Sequence, residues 1–185
     1  MLDKNMSKSE IEKELRGKGD FVQIDYLTKF LDKMPPIAIK KFALMKLIEI
    51  YENKKMFNDV GKTYELLAIN AISSPEKIEC FIKEAEYYIK AGSFERADSA
   101  MRKAMEISNI VKKAEIYSKV KEIYIRQGEI FENEAKRNSA IKVYEKLLVM
   151  KISEAEKEEI KKKLLALYEQ LGKFREFSNL NHRRV

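Results

Sequence analysis

A chain of 185 residues can build one domain or one short repeat array, and with 45% hydrophobic and 36% charged residues it is too apolar to be disordered. Six glycines and three prolines leave little material for β-turns, while abundant Lys, Glu, Leu, Ile and Ala favour helices, so an all-α protein is expected. The net charge of +7 admits an acidic partner, but bases and acids interleave with no Lys/Arg block of five, the pattern of a solvated mixed surface.

In chain order, helical periodicity predicts pairs at 5–17 with 20–34, 40–54 with 57–71, and 76–91 with 94–108. Further pairs follow at 112–127 with 131–150 and 154–171 with 174–182. Breakers separate them. Pro35 and Pro36 close the first pair. Ser74 before Pro75 reads as an N-cap with proline in the first turn. Ser153 and Glu156 make a capping box.

The pairs are copies of one unit. In "EYYIKAGSFERADSAMRKAMEI", Tyr88, Gly92 and Phe94 mark a helix end, a turn and the next helix start. "EIYIRQGEI" offers Tyr124, Gly128 and Ile130 in those slots, and "ALYEQLGKFREF" offers Tyr168, Gly172 and Phe174. "EIYENKKMFNDV" supplies Tyr51, Lys55 and Phe57, and "LRGKGDFVQI" supplies Leu15, Gly19 and Phe21. Anchors at 19, 55, 92, 128 and 172 are spaced by 36, 37, 36 and 44 residues. The long interval falls after Gly128. Apolar spacing through Tyr117, Val120, Tyr124, Gly128, Phe131 and Ala135 predicts that this first helix runs on about two turns, to near Arg137, and turns at "RNS".

The repeat resembles the tetratricopeptide repeat, best between Ile78 and Asn109. Ala85 fills the small slot of the first helix, Tyr88 its aromatic and Gly92 the turn; Phe94, Ala97 and Ala104 fill the second helix. Tyr124, Gly128, Ala140 and Tyr144 match in the fourth unit, while other units hold larger residues in the small slots. "AIKVYEKLL" and the long helix are weakly similar to the SNAP adaptor branch. The resemblance implies a right-handed α-α superhelix, a single domain over 1–185 of about five helix pairs, with units 5–36, 40–73, 76–109, 112–152 and 154–185. It also implies that first helices line a concave surface where protein segments bind.

First helices of the third and fourth units repeat Glu79/Glu115, Lys83/Lys119, Glu86/Glu122, Ile89/Ile125 and Lys90/Arg126, and Glu49 adds to the row from the second unit. Spacing at i, i+4, i+7 and i+11 puts each charged set on one helix stripe. Such pairs also support a solvated helix by about 0.2–0.5 kcal/mol each, so two readings of the stripe stand. The slots that carry the family's clamp for terminal carboxylates hold Ser9, Lys13, Met45, Glu49, Ile82 and Glu86, so that clamp is absent. An acidic-edged groove suits a basic or amphipathic helical ligand.

Little else carries chemistry. Cys80 reads as a buried inert thiol, His182 is the only histidine, and Tyr51, Tyr88, Tyr124 and Tyr168 read as core. No phosphate loop, cofactor or metal site is expected. The polar opening "MLDKNMSKSEIEKELRGKGD" lacks a signal core, and no apolar run spans a membrane, so a cytoplasmic setting is expected. A non-catalytic protein-interaction scaffold leads. An RNA-binding helical repeat, prompted by the net charge, and a self-associating structural protein, using the terminal helix around Phe174, Phe177 and Leu180, stand as alternatives.

Overall fold

The computed structural model describes residues 2–182; Met1 and residues 183–185 of the fifth unit lie outside it. The described residues form ten helices and no strand. The pairs are α1 (Lys8–Leu15) with α2 (Asp20–Leu31), α3 (Ile37–Asn53) with α4 (Phe57–Ile69), and α5 (Ser74–Lys90) with α6 (Phe94–Glu106). They continue with α7 (Ile110–Asn133) and α8 (Arg137–Leu148), then α9 (Glu154–Gln170) and α10 (Phe174–His182). No helix among the described residues is long and apolar enough to cross a membrane.

Helix starts follow the polar caps. Ser7 with Glu10 and Ser153 with Glu156 form capping boxes, and Asn109 accepts from the Lys112 N–H. Ser73 rather than Ser74 caps α5, which places Pro75 inside the first turn. Helix ends share one geometry. Lys55, Gly92, Ala135 and Gly172 all have positive φ, between 55° and 72°. The next N–H in each case, from Met56, Ser93, Lys136 and Lys173, closes onto the carbonyl of Tyr51, Tyr88, Phe131 and Tyr168.

This corrects the register of the repeat. Gly128 lies inside α7, and Ala135 takes the left-handed turn of the fourth unit. From 55 to 92, 92 to 135 and 135 to 172 the intervals are 37, 43 and 37 residues, so the long interval precedes the fourth turn. Phe131, not Tyr124, stands in the aromatic slot, and Gly128 stands in the small slot of Ala85. In the first unit Gly17, not Gly19, has positive φ. Helix α7 has 24 residues against 17 in α3, α5 and α9, the two extra turns expected. It stops at Asn133, four residues before Arg137, because Ala135 closes it there.

A non-glycine residue in the left-handed region carries a steric penalty of about 1 kcal/mol or more. Lys55→Gly and Ala135→Gly are each expected to raise stability by about 0.5–1 kcal/mol in urea unfolding, the net after glycine's larger unfolded-state entropy.

Each helix from α2 to α10 packs on its sequence neighbours, and α5 also packs on α7. The core is a strip rather than a sphere. One cluster joins α1–α3 through Ile11, Leu27, Phe30 and Leu47; a second joins α3–α5 through Leu44, Val60 and Tyr87. The third runs from Ala68 through α5–α9 to Tyr168. Fully buried Ala85, Ala100, Ala104 and Ala140 let neighbouring helices approach closely.

Candidate functional site: the face of the first helices

Side chains one unit apart meet across this face. Glu79 of α5 lies 3.9 Å from Lys119 of α7, and Glu86 lies 3.8 Å from Arg126. Lys46 of α3 bridges Glu12 of α1 and Glu49 of its own helix, both at 3.4 Å. Lys121 pairs with Glu156 of α9 at 2.6 Å, and Lys163 reaches back to Glu129 at 3.4 Å. The charges predicted as parallel stripes therefore sit side by side, linked between helices.

The eleven predicted residues divide into three groups. Glu49, Glu79, Glu115, Lys119, Glu122 and Arg126 are exposed. Lys83 and Lys90 are half-buried and both bond Glu86 at 2.9 Å. Glu86 itself is only 8% exposed, because α7 passes beside it. Burial pushes its carboxyl pKa up, but Lys90 and Lys83 outweigh that and hold it below the usual carboxylate value. Ile89 leaves the set: it is fully buried, since it sits on the core side of the stripe and packs into the main cluster. Ile125 is partly buried against the same cluster.

The face also holds an apolar recess that the charge pattern did not indicate. Phe42, Met45, Lys46, Ile48, Glu49 and Glu52 of α3, with Tyr64 of α4, line a cavity of about 320 Å³. These α3 positions recur at helical spacing, so they share one side. Met45 is exposed. Tyr64 stacks on Tyr87 at 5.5 Å between centroids, and the Tyr87 hydroxyl donates to Glu52 across the α3–α5 seam. Lys90 caps the Tyr87 ring at 4.3 Å. Burial, with Glu52 and Glu86 nearby, raises the Tyr64 hydroxyl to about 12. The recess thus joins aromatic and thioether surface to an acidic rim. The available signal in the sequence is Met45, an apolar residue on the charged side of α3.

A second buried carboxylate lies on the other side of α5. Glu84 is 2% exposed, and Lys103 reaches it at 3.3 Å while also holding Glu65 at 2.5 Å. Its Oε2 has no hydrogen-bond partner. Burial raises its pKa to about 7, against the pull of Lys103. The folded pKa exceeds the unfolded one, so the fold binds the extra proton and loses stability as pH rises from about 4.5 to about 7. Glu84→Gln is expected to remove that slope and to stabilise the protein by about 1–3 kcal/mol at pH 8, measured by urea unfolding across pH. Gln127 is the residue at this slot one unit on, also buried, so the amide fits this environment.

Cys80 is half-buried, and burial pushes its thiol pKa up, which disfavours the thiolate. Among the described residues no group of His, Cys, Asp and Glu is arranged to hold a metal ion. Comparisons with protein-family models, with curated proteins and with solved structures return no match for this chain.

Proposed function

We propose that the helix pairs wind as a right-handed, tetratricopeptide-like superhelix of five units, and that the protein is a non-catalytic interaction scaffold of the cytoplasm. The first helices α3, α5, α7 and α9 form the concave side. A basic, amphipathic helical segment of another protein lies there, with an apolar side chain in the Phe42–Met45–Tyr64 recess and cations along Glu49, Glu79, Glu115 and Glu122. The observation that carries this reading is the direct packing of α5 on α7, with Glu79 against Lys119 and Glu86 against Arg126. Helices α5 and α7, two apart in sequence, then share one face, the arrangement a stacked repeat calls for. Exposed acids alternate with Lys119 and Arg126 along this face, a pattern that suits a ligand of mixed charge better than a uniformly anionic phosphate backbone.

Charge reversal at Glu49, Glu79, Glu115 and Glu122 to Lys leaves buried Glu86 in place and tests the face without touching the core. Affinity capture with this variant is expected to lose, by at least about tenfold, the protein recovered with the wild type, with helicity unchanged. Equal recovery would move the binding site off this face.

A further inference from the structure

Large apolar side chains stand exposed at the junctions between helix pairs. Each short connection reverses the chain, so intra-pair turns lie at one end of the array and inter-pair junctions at the other. The junction end carries Met34 and Ile37 before and in α3, Ile69 and Ile72 before α5, Ile110 and Val111 at the start of α7, and Val149 before α9. Met34, Ile72, Ile110 and Val149 are each more than three-quarters exposed. All four junctions repeat the feature. The core does not call for it, because among the described residues no helix covers these exposed tips.

The start of α7 projects beyond that of α5. Glu79 is level with Lys119 and Glu86 with Arg126, a constant offset of 40 residues, so Ser74 of α5 is level with Ala114. The first turn of α7, with Ile110 and Val111 at its tip, therefore stands clear of its neighbour.

Lysines flank the tips. Lys40, Lys77, Lys113 and Lys151 have no carboxylate partner among the described residues, and Lys33 donates only to the Leu2 carbonyl. Of the acids at this end, Glu76 is held by Lys41, Glu154 by Lys157 and Glu156 by Lys121, leaving Asp32, Glu106 and, just inside α9, Glu158. Separated aliphatic tips ringed by unpaired lysines do not form a groove for one side-chain ladder. They match a fluid surface that takes shallow apolar anchors and carries negative headgroups.

From this juxtaposition we infer that the junction edge is a peripheral docking surface for an anionic lipid bilayer. The tips enter the headgroup–acyl boundary, the lysines meet the headgroups, and the first-helix face stays free for a protein.

The test is co-sedimentation of the full chain with phosphatidylcholine vesicles, with and without phosphatidylserine. Binding is expected to strengthen at least about tenfold with phosphatidylserine and to weaken in high salt. Joint substitution Ile72→Asp, Ile110→Asp and Val111→Asp is expected to abolish it, and Lys40, Lys77, Lys113 and Lys151→Glu to remove the phosphatidylserine dependence. Phe21→Asp with Phe174→Asp, at the opposite end, is expected to leave it intact. The proposal is overturned if the wild type sediments with neither vesicle, binds both equally, or binds no better than the apolar-tip variant. It is equally overturned if light scattering shows a dimer that the apolar-tip substitutions dissolve, which would assign the edge to a second copy of the chain.

Discussion

Gly128→Ala is expected to destabilise the protein by about 1–3 kcal/mol, although alanine favours a helix over glycine by about 1 kcal/mol. Gly128 lies within α7, and a Cβ there would meet the Tyr144 ring at 2.5 Å from Cε1 and 2.8 Å from Cζ. The ring has nowhere to retreat. It is buried, and its hydroxyl donates to Glu132 of α7. Overpacking therefore outweighs propensity. Gly61→Ala, facing Tyr88 at 2.8 Å, is expected to lose less, and Gly19→Ala, with nothing within 4 Å of its Cβ, should change little. Urea midpoints followed by circular dichroism rank the three. A neutral or stabilising Gly128→Ala would mean that α7 and α8 do not approach this closely.

Glu86→Lys is expected to cost more, about 3–5 kcal/mol, because it sets a fourth cation among Lys83, Lys90 and Arg126 at a buried position. Glu86→Gln removes the charge but keeps the shape, and about 1–2 kcal/mol is expected. The wild-type contribution should also titrate. The folded pKa lies below the unfolded 4.5, so this stabilisation is present above about pH 4.5 and is lost as pH falls through the folded value. Thermal unfolding between pH 3 and 7 should show that acid loss in the wild type and less of it in Glu86→Gln. Equal stability of Glu86→Lys and the wild type would place Glu86 in solvent and separate α5 from α7.

Legibility in the sequence followed the range of the interaction. Capping by Ser153 and Glu156 is local chemistry, and the paired helices with their short turns were readable from spacing alone. The fourth turn was not, because Ala135 adopts a conformation that glycine normally marks. Gly128 drew the anchor to itself, with Tyr124 four residues before it, while its physical role is to leave room for Tyr144. The charged stripe was found by periodicity, but periodicity on one helix does not reveal which helix lies beside it. That is why Glu86 and Ile89 were expected at the surface and lie inside. The recess needed contacts between units, such as Tyr87 with Glu52 and Tyr64, which only the stacked structure brings together.

The scaffold reading turns on which face meets the partner. A photoreactive side chain placed at Met45 or Glu122, on the first helices, and at Lys62, on the second helix α4, reports that face directly in a cell extract. Crosslinks to one and the same protein from Met45 and Glu122, but not from Lys62, are the predicted result. Crosslinks from Lys62 alone would contradict binding on the first-helix face.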